Sequence, residues 1–194
     1  YPSLIKECTQ RGWEIMANGL DMDHLHHGGL AVDEEKKLID TTLDILRRAS
    51  GQAVRGWLSP AKSESAATLD LLGSAGMDYV CDWVVDDVPR WMSTREGPLL
   101  ALPYNVEVND SIIYAVEKHS SPEMYLRLEN TLRLFEREAQ THPRVLAIGL
   151  HPHLIGVPHR FEYLERMLEL LMKSPQVGFM TGSQIADWYA AQVP

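Results

Sequence analysis

Arg144-Val145-Leu146-Ala147-Ile148-Gly149-Leu150-His151-Pro152-His153-Leu154-Ile155-Gly156-Val157-Pro158-His159-Arg160 is the stretch on which the fold turns. Residues 144–149 form an apolar run of strand character. A loop shaped by Gly156 and Pro158 follows, and the next helix opens near His159 or Arg160. His151 therefore stands where a buried strand ends and a loop begins. Ligand sites in α/β proteins gather at the carboxyl ends of parallel strands. Imidazole titrates close to neutrality, which suits it to proton transfer. The competing reading is a loop with ordinary surface histidines. Position favours a site, and His151 leads it.

Outward from this stretch, strand and helix signals alternate along the chain. Residues 2–11 read as a helix, with Pro2 in its first turn and Gly12 at its stop. A strand over 13–17 follows, then a segment rich in Asp, His and Gly. Asp33 is the expected cap of a helix whose Leu38, Ile39, Thr42, Leu43, Ile45 and Leu46 share a face, closed by Gly51. Further strands are expected over 54–58, 79–85, 98–104 and 177–180. A helix opened by Ser63 or Ser65 runs to Gly76, and residues 86–97 form a loop marked by Pro89, Trp91 and Arg95. Pro122 begins the longest helix, which ends before His142-Pro143, and helices over 160–173 and 183–191 complete the pattern. Such alternation predicts parallel strands covered by helices, as an open sheet or a barrel. No repeat, low-complexity tract or linker divides the chain.

Composition bounds the function. A chain of 194 residues, 45% hydrophobic, can bury a sizeable core as one domain. Its net charge of −9 argues against nucleic-acid phosphates and anionic membrane surfaces as partners. Cys8 and Cys81 show neither metal spacing nor a disulfide framework, which points to a reducing, cytoplasmic compartment. No apolar run approaches the roughly 20 residues that span a bilayer, and no signal peptide is visible. The chain begins at Tyr1 rather than Met, so a processed or truncated start is expected.

Several polar groups could carry chemistry. The loop Asn18-Gly19-Leu20-Asp21-Met22-Asp23-His24-Leu25-His26-His27-Gly28-Gly29 holds imidazoles and carboxylates, the usual ligands of zinc-like ions. It lacks the i, i+4 spacing of a helical zinc pair, so a polar loop satisfied by its own backbone is the other reading. Trp57, in Gly56-Trp57-Leu58-Ser59-Pro60, sits just before a strand end; core packing and substrate contact are both open. Asp82-Trp83 and Asp86-Asp87 follow another strand, where carboxylates serve acid–base work or simply turns. Asn109-Asp110 most simply caps a short helix. No phosphate-cradling glycine loop and no nucleophile elbow occurs, so nucleophilic catalysis is poorly supported.

Taken in order, these pieces resemble the polysaccharide deacetylase superfamily, with its NodB-homology or carbohydrate-esterase-4-like fold. The nearer likeness is to the branch of metal-independent allantoinases and related amide or cyclic-imide hydrolases. It runs through Tyr1-Pro2, Gly12-Trp13-Glu14-Ile15, Asn18-Gly19, Gly51 and Gly56-Trp57-Leu58-Ser59-Pro60. It continues in Tyr79 with Asp82 and Asp86-Asp87, Leu102-Pro103-Tyr104, Asn109-Asp110 and Gly149-Leu150-His151 with Ile155-Gly156, Pro158 and Arg160. The resemblance implies a distorted (β/α) barrel of the NodB type, a single catalytic domain over 1–194 lacking its N-terminal strands. An upstream segment or a second copy of the chain is then expected to cover the open strand edge.

The resemblance also implies roles. His151 matches the family's late histidine, the general acid for the leaving nitrogen. The loop that opens His-Gly in the family is Asn18-Gly19 here, and Met22 occupies the place of the second histidine of metal-dependent members. Asn18 transfers no proton; its expected part is to hydrogen-bond the substrate carbonyl or oxyanion. The cofactor expectation is none, or one divalent ion of the zinc class held through His24. Leu58 stands near the place of the family's arginine. Trp57, Pro60, Asp87 and Arg160 are the expected substrate contacts. The family's first motif, which supplies the general base, lies upstream of Tyr1. His151, Trp57 and the 18–27 loop are expected to line one pocket at one end of the strands. The implied activity is hydrolysis of a non-peptide carbon–nitrogen bond in a small amide, ureide or cyclic imide. The alternatives are N-deacetylation of amino sugars and a catalytically inactive structural member.

Overall fold

The computed structural model describes residues 1–193, which fall into two compact units. The first comprises residues 1–102 together with the described residues from Met180 on, and the second is Pro103–Phe179. Among the described residues no helix is long and apolar enough to cross a membrane.

The first unit is built on a mixed sheet. Helix α1 is Pro2–Gln10 and α2 is Val32–Ser50. Strand β1 (Gly56–Trp57) leads through a 3-10 turn, Pro60–Lys62, to α3 (Thr68–Ser74) and β2 (Tyr79–Val80). Strands β3 (Arg90–Thr94) and β4 (Gly97–Ala101) form a hairpin. The sheet order is β1-β2-β4-β3, with β1, β2 and β4 parallel and β3 antiparallel at the edge. Ala17 adds a parallel bridge to Trp57, its N–H donating to Gly56 O at 3.0 Å and its carbonyl accepting from Leu58 N–H at 2.9 Å. Ile39 and Leu43 of α2 and Leu72 of α3 are buried with Trp57, Val80 and Leu99 against the strands. Helix α7 (Gly182–Gln192) begins with a reciprocal cap between Thr181 and Gln184. Arg55 ties α7 to the strands through Asp187, at 2.5 Å, and also pairs with Asp78.

The second unit is helical around one extended crossing. A π-helical turn spans Ser111–Val116, followed by α4 (Glu123–Glu138), α5 (Pro152–Ile155) and α6 (Pro158–Lys173). Ile113, Met124, Leu128, Ile155 and Met167 are all but fully buried where these elements meet. Asn109 and Gly149 form a parallel bridge, with Gly149 N–H on Val108 O at 3.0 Å and Asp110 N–H on Gly149 O at 3.1 Å.

Several expected elements change extent. The strands over 13–17 and 144–149 shrink to single bridges, and 177–180 forms no strand. The expected loop 86–97 holds strand β3, whose alternating exposure suits a sheet edge. Helix α2 is capped at Ala31 without a side-chain bond; Asp33 lies in its first turn with Glu34 and Glu35, where carboxylates favour the helix dipole. Helix α3 starts at Thr68, because Ser65 first makes a turn with Ala67 and Thr68. Helix α2, at 19 residues, exceeds α4, at 16.

Candidate active site

His151 is held by a buried carboxylate. It caps α5 in extended conformation (φ −119°, ψ 117°), directly after the backbone that pairs with Asn109. Asp110 is fully buried, and its two oxygens take His151 Nδ1 at 2.5 Å and His151 N–H at 2.6 Å. This double contact fixes both the position and the tautomer of the ring. With Nδ1 given to Asp110, Nε2 is the nitrogen left for a ligand, on a side chain 42% exposed. The His153 ring stands edge-on to it, 5.9 Å away.

The residues that bring this pair together are local. Asn109 accepts Ser111 N–H at 2.9 Å through Oδ1 and donates from Nδ2 to Tyr104 Oη at 3.1 Å. The sequence suggested that Asn109-Asp110 caps a short helix; Asn109 does this, which leaves the Asp110 carboxylate to His151. Gly149 leaves room for the approach, since a Cβ there would lie 2.2 Å from Asn109 Nδ2 and 2.9 Å from Tyr104 Oη. Arg160 lies over the Tyr114 ring, 4.1 Å from its centre, and donates to Leu154 O at 3.0 Å. Its Nε is buried without a partner. Burial raises the Tyr114 phenol above its ordinary range, and the Arg160 charge opposes that rise.

His151 and Arg160 belong to the second unit; Asn18, His24, Trp57, Pro60 and Asp87 belong to the first. Asn18 is exposed and follows Ala17 at the end of the parallel ladder. Gly19 has φ +64°, and a Cβ there would lie 2.2 Å from Pro60 Cγ, so this turn is seated on the Pro60 ring. Trp57 is completely buried, with Nε1 donating to Ser59 Oγ at 3.0 Å, which makes it a core residue of its unit. The Asp87 N–H donates to Asp86 Oδ1 at 2.7 Å. His24 is exposed and bonded through Nδ1 to Asp21 at 2.7 Å, which raises the imidazole pKa. Asp21 also accepts the N–H groups of Asp23 and His24, the bonding of a polar turn. Among the described residues no cluster of three or more His, Cys, Asp or Glu side chains is arranged to hold a metal ion.

Two polar networks, one buried and one part-buried, join residues that the sequence does not connect. Glu35, fully buried, accepts from His26 Nδ1 at 2.8 Å, Ser65 Oγ at 2.5 Å and Thr68 Oγ1 at 2.5 Å. His26 is buried too, edge-on to Trp57 with ring centres 5.7 Å apart. The available signal was a glutamate on the apolar stripe of α2, four residues before Ile39. The second network joins Asp82 to Ser59, whose N–H and Oγ each donate to it at 2.7 Å. Glu64 lies against Asp82 and accepts Trp83 Nε1 at 2.8 Å. Burial, and then Asp82 beside it, push the Glu64 carboxyl up to about 8.

No family model matches the chain. A Schizosaccharomyces pombe protein named "Putative polysaccharide deacetylase" is 27% identical over 188 residues, covering 88% of this chain and 58% of the yeast protein. The crystal structure of a Pseudomonas aeruginosa protein described as a "probable Polysaccharide deacetylase" superposes with a TM-score of 0.89 at 27% identity. That of Puue allantoinase superposes with a TM-score of 0.91 at 26% identity. Each structure matches all of this chain, which spans 64% of either one. The chain is thus similar to these relatives over less than two thirds of their length.

Proposed function

We infer, for a chain that belongs to the polysaccharide deacetylase superfamily, a part in hydrolysing a carbon–nitrogen bond other than a peptide bond, with His151 as general acid. The Asp110–His151 pair carries this reading. When water adds to an amide or imide carbonyl, a C–O bond forms and the C–N bond must break. The nitrogen leaves only once protonated, and a positioned imidazolium supplies that proton. Asp110 stabilises the charged ring, orients it and keeps Nε2 as the delivering atom. Activation of the water is assigned to a carboxylate outside these residues, in the family's first motif. Asn18 offers the substrate an amide hydrogen bond, of the kind that contributes roughly 3 kcal/mol when aimed at an oxyanion.

The residues present do not fit the divalent ion that the superfamily suggests. Asn18 and Met22 stand where metal-dependent members carry histidines, and a neutral amide and a thioether are poor partners for a zinc-class ion. His24 is engaged by Asp21. The favoured substrate is a small amide, ureide or cyclic imide. N-deacetylation of an amino sugar is the second reading, supported by the names of the yeast and Pseudomonas relatives; its leaving amine makes the same demand on His151.

A panel of small amides, ureides, cyclic imides and N-acetylated amino sugars, given to the full-length protein, tests both. His151→Ala is expected to lower kcat by on the order of 10²-fold or more, with Asp110→Asn falling part of the way and His159→Ala changing little. Equal mild losses at His151 and His159 would remove the general-acid role, and inactivity on the whole panel would favour a structural member of the fold.

A further inference from the structure

The Asp82–Glu64 network ends close to Asn18, and every link in it lies within the first unit. Asp82 follows β2 and holds Ser59, at the end of β1, by its backbone N–H and its hydroxyl, both at 2.7 Å. Ser59 in turn receives Trp57 Nε1 at 3.0 Å. Pro60, next in the chain, is the seat of the Gly19 turn, whose backbone sits too close to the ring for a Cβ. Asn18 is the residue before that turn.

Geometry also favours a proton on Glu64. Asp82 already has a donor on each oxygen. Glu64 Oε2 has the Trp83 indole, but Glu64 Oε1 is buried with no donor, while the carboxyl lies within bonding reach of Asp82. Two carboxylates so placed cannot both be ionised without strong repulsion. The oxygen without a donor is the one that makes a hydrogen bond if it carries the proton itself. The other titratable groups beside this pair are Glu35 of α2, with its partner His26, and Cys81, which feels both Asp82 and Lys62. Glu35 adds to the negative field and so favours the protonated form.

We propose that Glu64 is a positioning residue: its protonated carboxyl donates a hydrogen bond to Asp82 and thereby fixes Ser59, the Pro60 seat and, through Gly19, the placement of Asn18. The proposal rests on the reading that Asn18 serves the substrate. It adds an alkaline limit to that service. Loss of the Glu64 proton sets two anions side by side, pushes Asp82 from Ser59 and releases the turn beneath Gly19.

NMR titration of the full chain tests it, with the Glu64 carboxyl, the Asn18 side-chain amide and the Gly19 backbone amide followed together. The three are expected to share one midpoint near 8, where burial and Asp82 hold the carboxyl. Glu64→Gln, which keeps a donor for Asp82, should remove the step and leave the neutral-pH positions of the Asn18 and Gly19 signals in place. Glu64→Ala should move both signals at neutral pH. A Glu64 midpoint in the ordinary carboxylate range overturns the proposal, as does a Glu64 titration that the Asn18 and Gly19 signals do not follow. If the shared step is seen while Asn18→Ala leaves turnover unchanged, the positioning stands and the role given to Asn18 falls.

Discussion

Gly149 decides how closely the two sides of the dyad approach. A Cβ at this position would meet Asn109 Nδ2 at 2.2 Å, and Asn109 is fixed by Tyr104 and Ser111. Gly149→Ala is therefore expected to cost about 1–3 kcal/mol of stability by overpacking, read from the denaturant midpoint. It should also lower turnover, because Asp110 moves away from His151 with its neighbour. Glu35 makes a different demand. It is a fully buried carboxylate with three donors, and Glu35→Ala strands His26, Ser65 and Thr68 together. A loss of roughly 3–5 kcal/mol is expected for breaking such a buried pair, again read by denaturation, with no comparable change from Asp33→Ala on the exposed side of α2. Glu64 gives a pH signature. Its carboxyl is raised from 4.5 to about 8 in the folded chain, so the folded state holds a proton that the unfolded state has released. The stability tied to that proton is complete below the unfolded value and is lost as pH rises through the folded one. The melting temperature of the wild-type chain should thus fall across this window by more than that of Glu64→Gln.

At the scale of elements, α7 offers a clean test because its first turn is closed by a reciprocal cap. Thr181 Oγ1 accepts Gln184 N–H and Gln184 Oε1 accepts Thr181 N–H at 2.8 Å. Thr181→Ala should cost about 1 kcal/mol, measured by thermal melts, with amide exchange accelerated in the first turn of α7. The helices were the legible part of the chain. Ile39 and Leu43, or Leu128 and Leu132, recur at helical spacing because one face of each helix is buried, and that spacing survives in the sequence. Strand length was not legible. The apolar composition of 144–149 reports extended chain, but hydrogen-bond pairing depends on a partner far away in sequence, and only Gly149 finds one. The sequence of strand β3 reads as loop because Pro89 and Arg95 mark turns on either side and its side chains are largely exposed, so no apolar pattern announces it. His151 could be singled out from its place at a strand end. Its partner Asp110 could not, because the two lie 41 residues apart and an Asn-Asp pair reads equally well as a helix cap. Asp82 could be singled out at a strand end, but its meeting with Glu64 could not, because the two are polar residues in loops that come together only in the fold.

For the whole molecule, alternation of strand and helix signals and the order of the motifs pointed to the NodB-type fold, and the superpositions agree over the full chain. Substrate identity lies finer than fold, since relatives named for polysaccharide deacetylation and for allantoin hydrolysis match at nearly equal identity. What both chemistries share is a nitrogen that must be protonated as it leaves, and supplying that proton is the role proposed for His151. The most direct test compares an amide with an activated aryl ester of the same acyl group, hydrolysed by wild-type full-length protein and by His151→Ala. The aryloxide departs without a proton. The variant is expected to lose amide turnover by on the order of 10²-fold or more while ester turnover falls by less than about tenfold. Equal losses on both substrates, or none on the amide, would take the general-acid role away from His151.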